Sequence, residues 1–206
     1  MDLGSDYFIS PLDDSHCVKK LRLRGEENQP LGVFLKRDAR DFQRAKVGRT
    51  YVACLPPSEG DEQPRVIGFI TLTCSEVDIN NAYELADCAS ANRYKSLPAI
   101  KIARLATDYR YAGRGIGMQL ISLAVALAAD SVSESVGCRF LVTDAKQGAI
   151  TFYENQGFTL LDSEENKNRT APVMFLDLNT LAESQVPDDE AVGAAQAESV
   201  LAQLSA

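Results

Sequence analysis

R-L-A-T-D-Y-R-Y-A-G-R-G-I-G, from Arg104 to Gly117, is the stretch on which the fold of this chain turns. Three glycines, Gly113, Gly115 and Gly117, alternate with other residues in it. Before them runs Ala99 to Thr107 (AIKIARLAT), a strand with apolar residues on both faces. After them Ile116, Leu120, Leu123, Ala124 and Leu127 keep helical spacing, which predicts a helix from Gly115 to about Glu134. Glycine permits positive φ and close backbone approach. A turn between strand and helix points unpaired N–H groups at an anion, and the helix start adds about half a positive charge. Arg110 and Arg114 reinforce phosphate binding. The stretch is therefore a phosphate cradle, sized for a diphosphate.

Outward from the cradle the chain alternates strands and helices. Upstream, Pro30 to Lys46 reads as a helix, Arg49 to Leu55 as a strand and Val66 to Cys74 as the next strand. Ile79 to Lys95 reads as a loop with helical pieces. Downstream, Cys138 to Thr143 reads as a strand, and Asp144 as the N-cap of a helix running to Asn155 and closed by Gly157. Phe158 to Leu161 and Val173 to Leu178 are the final strands. Early consecutive strands followed by β-α alternation predict an α/β (α+β mixed) fold, a mixed sheet with helices on its faces.

Two phosphate-binding classes fail on spacing. A Walker loop needs Lys followed by Ser or Thr after its glycines, and none is present here. A dinucleotide fingerprint starting at Gly113 would need glycine at position 118, which is Met118.

The cradle, followed by a helix, a strand and A-I-T-F-Y-E-N-Q-G-F from Ala149 to Phe158, resembles the GNAT N-acetyltransferase superfamily. That resemblance implies a central, mostly antiparallel sheet flanked by helices, with strands splayed around acetyl-CoA as the cofactor. It also implies that Ala112, Gly113, Arg114, Gly115, Ile116 and Gly117 hold the coenzyme A pyrophosphate through main-chain amides. Ala112 stands where the family usually has Gln or Arg. Arg110-x-x-Gly113-x-Gly115 fits the same formula two residues early, and Arg110 is kept as a cofactor-binding candidate. The strand at Leu105, Ala106 and Thr107 would pair with the pantetheine arm, and its N–H groups can polarise the thioester carbonyl.

Tyr153 is the candidate catalytic residue. Two roles are open to a tyrosine on a helix, packing or proton donation, and the resemblance selects general acid toward the departing thiolate. Glu76 and Asp78 follow the second long strand and are candidates for a general base, or solvated loop acids. An α-amine beside an ester has a pKa below the 7.7–8.0 or so of ordinary α-amines and is substantially neutral without a base.

Leu31 to Ala39, Gln43, Arg49 to Val52 and Leu97 to Ala106 resemble the branch of the superfamily that contains toxins of bacterial toxin–antitoxin pairs. Those toxins acetylate the α-amine of aminoacyl-tRNA. The similarity covers roughly Leu31 to Leu178. It implies an amine acceptor, with aminoacyl-tRNA as the first choice, an antitoxin protein as partner and a homodimer. A GNAT enzyme for a small-molecule or peptide amine, and a non-catalytic coenzyme A-binding module, are the alternatives.

Charge bears on the tRNA reading in two ways. The net charge is -8, which excludes a uniformly basic nucleic-acid binder. Lys19 to Arg49 nevertheless carries +6, against -5 for Asn179 to Ala206 and -9 for the rest. Lys36, Arg40 and Arg44 repeat every four residues along the predicted helix, and with Arg37 and Arg49 they are the candidate tRNA contacts. The other reading of that ridge is a solvated helix face.

Length and composition set the remaining bounds. The 206 residues suit one domain with extensions: residues 1–15 an N-terminal extension, 16–178 the acetyltransferase domain, 179–206 an acidic Ala-rich tail, disordered or weakly helical. Five scattered cysteines without a C-x-x-C, and His16 as the only histidine, point away from a disulfide framework and a metal site. The longest nearly apolar run, Leu120 to Ala129, is short of the roughly 20 residues a bilayer requires, so no membrane is expected. With no secretory pattern at the start, the expected location is the cytoplasm.

Overall fold

The computed structural model describes residues 7–58, 60, 62–79 and 82–180. The predicted tail therefore lies outside the described residues from Leu181 onward. Seven strands are described: β1 Phe8–Pro11, β2 Arg49–Leu55, β3 Arg65–Asp78, β4 Ser96–Thr107, β5 Phe140–Asp144, β6 Thr159–Leu160 and β7 Val173–Asp177. Their order in the sheet is β1-β2-β3-β4-β5-β7-β6. β1 with β2, β2 with β3, β5 with β7 and β6 with β7 pair antiparallel, while β4 and β5 pair parallel. This is the mixed, mostly antiparallel sheet that the sequence predicts. The parallel register runs from Ala99↔Phe140 to Ile102↔Thr143, whereas β4 itself continues to Thr107.

The chain divides into two compact units. The first contains the residues up to Thr73 and Ala103–Leu123. Its core gathers Leu12, Leu21, Phe34, Leu35, Val52 and Phe69. β2 and the first half of β3 are buried on both faces, because their apolar residues run without alternation. Of the described residues, the second unit contains Cys74–Ile102 without 80 and 81, and 124–180. Its core centres on Tyr83, Phe140 and Phe175, whose rings meet edge to face at 4.9–5.9 Å. The Tyr83 hydroxyl donates to Asp177 (2.9 Å), and Arg139 bridges Asp177 and Asp87. Those bonds fasten the 82–95 loop to β5 and β7.

Several elements depart from the sequence reading. β1 lies within the residues read as an extension and pairs with β2 in the register Phe8↔Cys54 to Pro11↔Tyr51. The single helix expected over Pro30 to Lys46 is two, α1 Gln29–Arg37 and α2 Ala39–Arg44. They meet at Asp38 (φ -110°), where Phe34 and Phe42 turn together at 5.2 Å. Asp144 is the last residue of β5 and caps no helix; α5, Ile150–Glu154, starts after a 3₁₀ turn and has Ala149 at its N-cap. The Asp144 carboxylate is taken instead by Lys101. Gly157 does close α5, with φ +82° and a bond from Phe158 N to Tyr153 O (3.1 Å).

The helix after the glycines starts as α3, Ile116–Ala126, passes through a π-wound stretch, Leu127–Ser133, and ends as α4, Glu134–Val136. At 21 residues it is long and apolar enough to cross a membrane by length and composition, more than the short apolar run implied. Within the fold Ile116, Leu120, Ile121, Leu123, Ala124, Leu127 and Ala128 are buried, the pattern of a core helix.

Candidate active site

The first unit holds the glycine turn. After β4, Asp108 opens a 3₁₀ turn at Tyr109–Tyr111, and the chain reaches α3 through Ala112 to Gly115. Gly113 has φ +76° and Gly115 φ +77°. A Cβ on Gly113 would meet nothing within 4 Å, so its glycine is required by backbone conformation and not by crowding. Gln119 N donates to Gly115 O (3.0 Å), the first bond of α3. The N–H groups of Ile116, Gly117 and Met118 precede it and have no intrahelical acceptor. They and the positive end of α3 fit a diphosphate such as that of coenzyme A. Arg114, between the two left-handed glycines, is exposed.

Arg110 has a different role from the one its charge implied. Asp108 is fully buried (0% exposed) and accepts from Arg110 N (3.0 Å), Arg110 Nε (2.8 Å) and Arg22 N (3.0 Å). Burial by itself would raise the Asp108 pKa, but these bonds outweigh it and hold the carboxyl below its ordinary value. Arg110 also donates to Lys20 O (2.8 Å). Its guanidinium is thus committed to fixing the turn. Asp108 was legible in the sequence: an acid between a strand and a helical turn is a capping residue.

Gly68 and Arg104 escaped the sequence reading. A Cβ on Gly68 would lie 2.8 Å from Ile116 Cγ2 and 3.4 Å from Ala106 O. This glycine in β3 lets the start of α3 and β4 approach. Arg104 lays its guanidinium 3.6 Å from the Phe34 ring centroid, with Phe42 at 5.7 Å. Burial lowers its pKa, and nearby Asp38 works against that shift. Arg104, Phe34 and Asp38 line an open groove of about 580 Å³ with Glu26, Pro30 and Val33. Leu105, Ala106 and Thr107, the pantetheine candidates, are half-buried on β4 beyond Ile102, the last residue paired with β5.

The proposed tRNA ridge is divided between two helices; Arg40 and Arg44 are neutralised by acids, while Lys36 and Arg37 are exposed. The interruption at Asp38 puts Lys36 and Arg37 on α1 but Arg40 and Arg44 on α2. Arg40 pairs with Asp14 (3.0 Å) and donates to the carbonyls of Asp13 (2.9 Å) and His16 (3.2 Å). Arg44 pairs with Asp41. Arg49 is half-buried on β2, with its Nε inaccessible and unbonded.

The second unit holds Tyr153. It is 7% exposed, between the Phe152 and Phe158 rings at 5.3 Å each. Burial raises its pKa above the ordinary phenol value, opposed by a hydrogen bond with Thr143. Thr143 Oγ1 also donates to Ile102 O (3.3 Å). The same Thr143 lines a cavity of about 510 Å³ with Glu76, Asp78, Lys101, Asp144 and Arg169. Lys101 pairs with Asp144 (2.5 Å), and Arg169 lies 3.4 Å from the same carboxylate. Glu76 accepts from Ser96 Oγ (2.9 Å), and Asp78 pairs with Lys95 (3.4 Å). The two base candidates thus share a cavity with the partner of Tyr153, and each carboxylate is already engaged. No sequence signal marked Thr143, which reads as one more residue in an apolar strand.

Residues 60–160 match the family model described as the acetyltransferase (GNAT) domain. Among solved structures, AtaT complexed with acetyl-methionyl-tRNAfMet is similar, with 26% identity and a TM-score of 0.73 over 88% of this chain and 100% of that one. A tyrosine-to-phenylalanine mutant of KacT is 22% identical, with a TM-score of 0.73, over 87% of this chain and 99% of that one. A similar mutant of the AtaT toxin, bound to the C-terminus of the antitoxin AtaR and acetyl-CoA, is 25% identical with a TM-score of 0.66, over 89% of this chain and 100% of that one.

Proposed function

From the premise that this chain carries a GNAT N-acetyltransferase domain using acetyl-CoA, we propose that it acetylates the α-amine of aminoacyl-tRNA with Tyr153 as general acid. The carrying observation is the Tyr153 phenol, buried and held protonated by that burial, beside the hydroxyl of Thr143. Acetyl-CoA supplies an acyl group activated as a thioester. The N–H groups of Ile116 to Met118 hold its diphosphate, and the main chain at Leu105 to Thr107 polarises the acyl carbonyl. The amine nitrogen forms the C–N bond as the C–S bond breaks; Tyr153 gives its phenolic proton to the departing sulfur, and the proton that the nitrogen loses restores the phenol.

An α-amine beside an ester is already neutral enough to attack, its pKa falling below the 7.7–8.0 or so of simple α-amines. This substrate needs no dedicated base, which agrees with the engagement of Glu76 by Ser96 and of Asp78 by Lys95. An antitoxin partner belongs to the same reading, supported by the likeness to AtaT bound to the C-terminus of the antitoxin AtaR; a homodimer and a cytoplasmic location rest on the sequence reading alone.

The test is transfer from labelled acetyl-CoA to charged tRNA, uncharged tRNA, free amines and peptides. Label on charged tRNA alone supports the reading. Label on free amines or peptides alone moves the acceptor to a small molecule or peptide. Coenzyme A binding with no transfer to any acceptor would make this a non-catalytic module.

A further inference from the structure

The Tyr109–Tyr111 turn carries more positive charge than a diphosphate requires. Arg24 stands over the Tyr109 ring at 5.4 Å, and Arg65 and Arg114 both face Tyr111, at 5.8 and 5.4 Å. Among the described residues none of these three forms an ion pair with a carboxylate, in contrast to Arg40, Arg44 and Arg110. Arg65 Nε is buried without a hydrogen-bond partner, an uncommon state for a charged donor.

The cluster is built and held in place. Arg22 N bonds to Asp108, Tyr109 N donates to Arg22 O (3.1 Å), and Arg110 reaches Lys20 O. These bonds stitch the segment carrying Arg24 onto the turn carrying Arg114. Holding like charges together costs free energy that an anion would return. The diphosphate is already served by the N–H groups of α3, so the surplus calls for a further phosphate.

We propose that Arg24, Arg65 and Arg114 form a second phosphate site beside the glycine turn, and that it takes the 3′-phosphate of coenzyme A. A phosphate monoester carries about -1.5 to -2 at neutral pH, more than the single charge of a nucleic-acid phosphodiester. It is also the group that coenzyme A carries beyond its diphosphate. The inference rests on acetyl-CoA as donor and is independent of the acceptor and of Tyr153.

The experiment is equilibrium binding of coenzyme A and of 3′-dephospho-coenzyme A to the full chain, with thermal melts as a check on folding. The unaltered protein is expected to prefer coenzyme A by about ten-fold or more, the effect of one charge-assisted contact. Arg24→Gln, at an exposed position, should bring that preference toward unity and leave affinity for the dephospho form within about two-fold. Equal affinity of the unaltered protein for both ligands overturns the site. So does a variant that keeps the preference and raises KM for charged tRNA, because the phosphate would then belong to the nucleic acid. If neither ligand binds, the acetyl-CoA reading fails first and this site with it.

Discussion

Thr143 holds Tyr153: its hydroxyl bonds to the phenol of α5 and donates to the carbonyl of Ile102, the residue at which the β4–β5 register ends. One side chain thus ties the candidate proton donor to the end of the parallel pair. Thr143→Val keeps the shape and removes the hydroxyl. It should lower kcat about ten-fold, the worth of one hydrogen bond in the transition state, with less change in KM. Thr143→Ser should recover most of the loss. Steady-state kinetics of both variants check this, and a Val variant with full kcat would show that the phenol is positioned by its ring contacts alone.

Tyr153→Phe removes the candidate proton donor and keeps the ring packing with Phe152 and Phe158. General acids contribute roughly 10²–10⁴-fold, and a fall in kcat of that order is expected with little change in melting temperature. The pH dependence follows from the sign of the shift. Burial raises the phenol pKa above 10.0, so the proton is present across the neutral range and is lost only as pH rises beyond that ordinary value. The unaltered enzyme should show no loss of kcat from this group below about pH 10. A kcat of Tyr153→Phe within two-fold of the unaltered enzyme in a thiol-release assay removes the residue from the mechanism.

Asp108→Asn tests the anchor of the glycine turn. The amide cannot accept both Arg110 contacts and the Arg22 N–H as a carboxylate does. The expected loss is about 2 kcal/mol, the lower part of the range for charged hydrogen bonds, because Arg110 is 32% exposed and partly screened. Coenzyme A affinity should fall as well, since the turn loses its fixed geometry. Denaturant melts and ligand titration read the two effects separately.

Gly68 and Gly113 are required for different reasons, and alanine should separate them. Gly68→Ala places a methyl 2.8 Å from Ile116 Cγ2, beside a side chain that is 1% exposed. Overpacking of that kind costs about 1–3 kcal/mol, and thermal melts should show it. Gly113→Ala meets no atom but is forced to φ +76°, a strain of about 1–2 kcal/mol that the turn relieves by changing shape. Its principal signature should be weaker coenzyme A binding.

Features set by neighbouring residues carry over into the fold. β2 falls at Arg49–Leu55 as its unbroken apolar run predicts, and Gly157 ends α5 at the positive φ that glycine favours. The strand, glycine turn and helix start within Arg104 to Gly117 are legible because they are consecutive in the chain. β1 was not, because Phe8–Pro11 is a short edge strand whose meaning lies in its partner some forty residues on. The basic ridge misled for a related reason: four-residue spacing aligns side chains only within one helix, and the break at Asp38 comes with the packing of Phe34 and Phe42 around Arg104.

Neighbours in the chain suffice for the order of elements from β2 onward, the glycine turn between β4 and α3 and the resemblance to an acetyltransferase. How the charges are used depends on contacts between segments far apart in the chain. Arg110 is spent on Asp108 and Arg40 on Asp14, while among the described residues Arg24, Arg65 and Arg114 lie against the rings of one turn and pair with no carboxylate. A guanidinium looks the same in any sequence; whether it is free for a ligand depends on which carboxylate the fold brings within hydrogen-bond reach.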